Sequence, residues 1–345
     1  MPTMHASPLL DRPGAVAADG PDAGVAWHYG DPVREQRLLE QGLAVVDLSH
    51  RGVVRVAGPD RLSWLHSLTS QQLTDLAPHT STESLVLSPH GHIEHDLHLV
   101  DDGDATWLSV EPGTAPALVE WLDRMRFMLR VEVADLSAEY AVLGEPFGTE
   151  SAAGEPLAWR DPWPALAGVT ASYSGDVYGG DGRHPGSDRV WRELIVPRAG
   201  LVRAAGDRPL AGTWAAEALR VAAWRPRFGF ETDHRTLAHE VDWLRTAVHL
   251  QKGCYRGQET VARVHNLGRP PRRLVLLHLD GSTNLLPEHG APVLLGEKAV
   301  GFVTSAARHH ELGPIALALV KRSLPTDAAL STAGVPAAQE LVVQP

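Results

Sequence analysis

A single cysteine, Cys254, sits in the run Lys252-Gly253-Cys254-Tyr255-Arg256-Gly257-Gln258-Glu259. Thiol chemistry proceeds through the thiolate, and a neighbouring cation favours that form. Lys252 and Arg256 stand two residues to either side of the sulfur, so both are placed to stabilise it. Gly253 and Gly257 let the backbone turn sharply or approach a ligand closely. The spacing therefore predicts a reactive thiol on a turn. The same residues also fit a plainer arrangement, with Cys254 a small buried hydrophobe and its charged neighbours facing solvent.

Other chemistries find less support. The chain has 18 histidines, but His239-Glu240 lacks the second histidine of H-E-x-x-H, and His234, His239 and His249 lack i, i+4 spacing, so no metal site is expected. His309-His310 reads as a solvated loop pair. No G-x-G-x-x-G or P-loop occurs, which removes support for dinucleotide or NTP chemistry. One cysteine forms no internal disulfide and ligates no iron–sulfur cluster alone. With 31 basic against 42 acidic residues the formal charge is −11, against a surface built for nucleic acid, so no direct DNA binding is expected.

The elements that must position these residues alternate between strand and helix. Ala44–Leu48 and Gly52–Val56 read as strands, and Pro59-Asp60 opens a helix bearing Leu62, Leu65 and Leu68. A hairpin follows: an extended Ser84–Leu87, a turn at residues 88–91, and a strand over His95–Val100 with Leu97 and Leu99 on one face. A helical pattern runs from Thr114, then Val131–Val133 resumes as strand. Glu193–Val196 is a strand and Gly212–Ala223 a helix, whereas residues 145–190 show little periodicity. Beyond the Pro270-Pro271 linker, short apolar runs over 274–279, 292–295, 300–304 and 315–320 predict a small antiparallel barrel. At 345 residues and 43% hydrophobic, the expectation is an α+β protein of several lobes. It divides into a flexible tail at 1–26, α+β lobes at 27–265 and a barrel domain at 270–345. The tail lacks a signal-peptide pattern, no run is long enough to span a membrane, and the cytoplasm is the expected compartment.

The K-G-C-Y-x-G-Q-E run, continued by Thr260-Val261-Ala262-Arg263, resembles the signature of the YgfZ branch of the glycine-cleavage T-protein superfamily. The opening Val46-Asp47-Leu48-Ser49-His50, the hairpin at 87–97, and Gly290-Ala291-Pro292-Val293 with 300–305 are also similar to that superfamily. The resemblance implies a T-protein-like multi-lobe fold with a central channel and a tetrahydrofolate-type ligand. It also implies that Cys254 is the functional residue of a folate-binding accessory factor. That factor would support iron–sulfur cluster assembly, repair or maintenance, with iron–sulfur enzymes or assembly factors as partners.

Such a ligand needs a flat apolar slot, a polar edge and cations for its glutamate tail. Trp224 and Phe228 are candidates for the slot, Asp96 for the edge, and Arg227 or Arg220 for the tail. The resemblance also has departures. The aspartate pair of aminomethyltransferases reads His95-Asp96 here, and Arg189 falls where a folate-facing glutamate is expected. Losing those carboxylates argues against classical aminomethyl transfer. Two other readings remain: a folate-dependent one-carbon transferase, and a modulator of tRNA modification.

Overall fold

The computed structural model describes residues 6–146, 157–174, 183–283 and 285–345. Two five-stranded sheets and a closed barrel make its frame, with helices packed between and around them. The first sheet runs in the order 158–160, 191–197, 140–146, 45–47 and 210–211, antiparallel except for the last pair. In the second, antiparallel throughout, the order is 81–87, 93–101, 105–110, 52–57 and 132–135. Val53, Val100 and Trp107 of the second sheet pack on Val142 and Ile195 of the first, joining the two face to face.

Period-two alternation decides what each face of strand 93–101 carries. Leu97 and Leu99 are fully buried beneath helix α2 (Arg61–Leu68), each contributing about 1.5–3 kcal/mol of burial. Asp96 and His98 therefore project from the opposite face. Helix α5 (Thr213–Ala222) buries Ala215, Ala218 and Val221. Trp224 follows in the left-handed region, φ +58°, where the helical path ends. The predicted barrel is closed and six-stranded, and strands 330–332 and 335–341 complete it. Its Leu274, Ile315 and Leu317 share one core with Trp224, Trp243 and Val248, so the barrel is fused to the body.

The N-terminal segment departs from the flexible tail expected over 1–26. Residues 8–11 form a 3-10 turn, Val16–Ala17 pairs with Ala26–His28, and Leu9 and Val25 are fully buried. Leu9 and Val25, with the Asp22 carboxylate, hold the segment against the body. Among the described residues, no helix is long and apolar enough to cross a membrane.

Candidate functional site

Between the two sheets and α5 lies a cavity of ≈ 70 Å³ with a densely charged wall. The second sheet contributes Asp96 and His98, and the first contributes Trp159, Trp191 and Glu193. Arg51 and Glu111 flank strands of the second sheet, while α5 and the chain after it supply Glu217, Arg220, Arg225 and Arg227. Arg189, Asp161, His50 and Asp22 complete the ring. A groove of ≈ 600 Å³ adjoins it and shares Arg189, Trp191 and Ala216.

Nearly every charge on this wall has an opposite neighbour, which low-dielectric surroundings demand. Arg51 donates to Glu111 at 2.7 Å and to Ser109 Oγ at 2.9 Å. Arg225 pairs with Glu83 and, at 3.2 Å, with Asp161, which also receives Arg189 at 2.7 Å. His98 lies 3.0 Å from Glu193 through Nδ1 and 3.1 Å from Asp96 through Nε2, with its ring stacked 3.7 Å from Trp159. Burial opposes charge on His98, but Glu193 and Asp96 outweigh it and raise its pKa to about 9. Burial likewise pushes Glu193 up, yet Arg51 and His98 hold it well below the usual carboxylate range. On the wall, Asp96 Oδ1 is buried without a hydrogen-bond partner, as are Glu83 Oε2 behind it and Asp47 Oδ2 elsewhere.

Glu83, Asp96 and His98 cluster closely enough for a metal ion. However, both imidazole nitrogens face carboxylates and carry protons, leaving no lone pair for a metal. Glu40, His309 and His310 form a second cluster. There, His309 Nδ1 accepts from the Glu311 and Leu312 amides, placing the ring proton on Nε2, which faces Glu40 at 3.8 Å. In the first cluster the imidazole is held between two carboxylates, and in the second His310 Nε2 lies 2.6 Å from Glu40 while burial disfavours charge on His309. The His309-His310 pair is accordingly not the solvated loop expected: His309 ends a barrel strand, and both rings are buried against Glu40.

Of the folate candidates, Asp96, Arg220 and Arg227 line the cavity. Arg220 is engaged by Glu217, Glu231 and Ser305, and Arg227 by Asp22, Glu111 and Glu217. Trp224 and Phe228 lie off its wall. Trp224 is fully buried in the core shared with the barrel, and Phe228 stacks on His95 at 6.2 Å. The flat apolar surfaces on the wall belong to Trp159 and Trp191. The i, i+2 spacing of Asp96 with His98 and of Trp191 with Glu193 was the available signal for these inward faces. Arg189 does not stand alone in a carboxylate's place either, because Glu193, two residues past Trp191, faces the cavity.

The signature run lies elsewhere, and Cys254 is no part of the cavity wall. Its thiol is exposed, on the connection leading to helix α7 (Gln258–Leu267). Lys252 turns away from bulk solvent: its ammonium is buried and donates to the carbonyls of His66 in the last turn of α2, of Thr69 and, at 2.8 Å, of Gln71. Burial pushes its pKa down to about 7. Arg256 pairs with Glu94 at 2.9 Å and lies 5.7 Å from the Trp121 ring. Both cations therefore have structural partners of their own. Tyr255 is buried, 5.1 Å from the Lys252 ammonium, while Arg263 and Glu259 are exposed on α7 and Gln258 is half-buried. Gly257 sits at φ +83°, and a Cβ there would lie 2.6 Å from the Ser88 carbonyl, so it packs against the 88–91 hairpin turn. Gly253 meets no such crowding.

The GCVT N-terminal domain matches residues 10–144, and the glycine cleavage T-protein C-terminal barrel domain matches residues 272–342. The chain thus belongs to the aminomethyltransferase-like superfamily. It is 28% identical to the aminomethyltransferase of Moorella thermoacetica over 317 residues, 85% of this chain and 82% of that protein. A chloroplastic protein of Arabidopsis thaliana, named as a candidate transferase, is 27% identical over 302 residues. That match covers 82% of this chain but 66% of the relative's length. The structure of glycine cleavage system aminomethyltransferase T from Bartonella henselae shares the fold, with a TM-score of 0.74 at 20% identity, over 98% of this chain and 95% of that one.

Proposed function

We propose that this chain is a folate-binding protein of the YgfZ type. Its central cavity receives the pterin end of a tetrahydrofolate derivative. Its exposed Cys254 acts on a partner in the assembly, repair or maintenance of iron–sulfur enzymes. The observation that carries folate binding is Asp96 Oδ1, a buried acceptor without a donor on the wall of a cavity. Leaving such an oxygen unpaired costs about 1–3 kcal/mol, which an N–H on the edge of a pterin recovers. Asp96 is held by His98, His98 by Glu193, and Glu193 by Arg51 and Ser109, so the acceptor's orientation is fixed before a ligand arrives. Trp159 and Trp191 supply flat apolar wall.

Cys254 serves a different step. An exposed thiol on a loop pinned by Lys252 and Gly257 is accessible to another macromolecule. Titration calorimetry with tetrahydrofolate tests the first half: saturable binding is expected, weakened tenfold or more by Asp96→Asn. Absence of any saturable signal in the unmodified protein overturns it. For the second half, Cys254→Ala is expected to keep folate binding and lose rescue of iron–sulfur enzyme activity in cells; full rescue by the alanine variant refutes the thiol role.

Glu193 favours a second reading, a folate-dependent one-carbon transferase, since the cavity retains a carboxylate beside Asp96 and His98. Turnover of a methylene- or formyl-folate that survives Cys254→Ser would select it.

A further inference from the structure

Arg227 stands among more anions than one guanidinium needs. Its Nη2 lies 2.7 Å from Asp22 Oδ1 and 3.0 Å from Glu111, and its Nη1 lies 3.3 Å from Glu217. Glu111 and Glu217 also belong to other cations, Arg51 and Arg220. Glu217 lies on α5 and Glu111 directly follows strand 105–110, whereas Asp22 belongs to the N-terminal segment. It is ionised: although burial raises its pKa, Arg227 and His50 hold it well below the usual range.

The segment carrying Asp22 is lightly attached. Among the described residues, the backbone hydrogen bonds of 18–24 stay within 7–28, as in Ser7 N–H to the Gly24 carbonyl at 2.8 Å and Ala18 N–H to the Val25 carbonyl at 2.9 Å. Its polar attachment to the cavity is Asp22 itself, on Arg227 and on His50 Nε2 at 3.1 Å. His50 Nδ1 is buried without a hydrogen-bond partner, so this corner of the wall has spare polar capacity. The cavity, at ≈ 70 Å³, is also well below the roughly 300–1,000 Å³ of a small-molecule site. A ligand larger than this space either extends into the adjoining groove of ≈ 600 Å³ or moves part of the wall.

We propose that Arg227 and His50 form a carboxylate subsite of the cavity, that Asp22 is its resident occupant, and that a ligand's carboxylate binds there by displacing Asp22 with residues 18–24. This rests on the folate reading only for the identity of the ligand, whose glutamate end supplies the carboxylate. The exchange keeps the number of charges around Arg227 constant, which a neutral ligand does not, so the subsite selects for an acid. Displacement also removes one wall of the cavity at the moment when volume is required.

Calorimetry on the full chain and its Asp22→Asn variant separates the parts of this proposal, using tetrahydrofolate, p-aminobenzoylglutamate and a tail-free tetrahydropterin. Asp22→Asn is expected to tighten both carboxylate-bearing probes about tenfold, the size of one charge-assisted contact, and to leave the tetrahydropterin unchanged. Equal tightening of all three, or of none, overturns the carboxylate subsite. If the variant gains p-aminobenzoylglutamate binding while neither tetrahydrofolate nor tetrahydropterin binds at all, the subsite stands and the folate reading falls. Asp22→Ser serves if the asparagine variant folds poorly, as judged by its melting transition. In the unmodified protein, saturating p-aminobenzoylglutamate is expected to speed amide exchange at Ala18 and Val25; unchanged protection under saturation counts against displacement.

Discussion

The central cavity and the Cys254 loop treat charge in opposite ways. In the cavity, acidic and basic side chains alternate around a closed ring, and each is stabilised by its neighbours more than by water. At the loop, Lys252 is sunk among carbonyls and Arg256 is held by Glu94, while the sulfur between them is left to solvent. The loop has a compact motif in sequence, but its cations fasten the loop to the carbonyls after α2's last turn and to Glu94. The cavity has no motif, its members being scattered from Asp22 to Arg227, yet it holds the unpartnered acceptor. Compact spacing here marks how a segment is anchored, and convergence of distant residues builds the charged cavity.

Substitutions in the two regions should differ in kind. The largest effect is expected from Arg225→Met, which leaves the fully buried carboxylate of Glu83 without its cation and Asp161 with Arg189 alone, and should cost about 3–5 kcal/mol in denaturant unfolding. A loss below about 1 kcal/mol would mean that the ring is not a mutually stabilised unit. Next comes pH. Because the folded pKa of His98 is raised from 6.5 to about 9, its contribution is complete below pH 6.5 and is lost as pH rises through 9. The loss is on the order of 3 kcal/mol. Unfolding measured between pH 6 and 10 should show this decline, and His98→Gln should flatten it.

At the loop, Gly257→Ala forces a left-handed φ and a clash with the Ser88 carbonyl, an expected cost of about 1–3 kcal/mol by thermal unfolding. A neutral result would show that the hairpin gives way and that the thiol is less firmly placed. The smallest stability effect belongs to Cys254→Ala. An exposed side chain should change unfolding by less than about 0.5 kcal/mol, even where partner-dependent activity is lost. A larger change would mean that the sulfur packs against something in the fold after all.

Much of the architecture was legible because it rests on local periodicity. The alternation at 93–101, the leucine face of α2 and the short punctuated runs after Pro270-Pro271 each announce an element whose apolar face must be covered. The N-terminal segment was less legible, since its seating depends on Leu9, Val25 and one carboxylate among residues that favour loops. Trp224 read as a candidate for a flat ligand slot because an aromatic just past a helix end gives no local sign of which side of the chain it will face.

The sequence by itself determined most of the elements, the closed barrel's raw material, and the placing of one thiol between two cations and two glycines, because these follow from spacing along the chain; that the thiol is exposed was decided by the fold. Only the tertiary structure decided that the cations serve carbonyls and Glu94, that Asp96 meets His98 and Glu193 across two sheets, and that Asp22 closes on Arg227. Pairing of buried charge depends on which strands face one another, and that is settled by the packing of distant apolar surfaces.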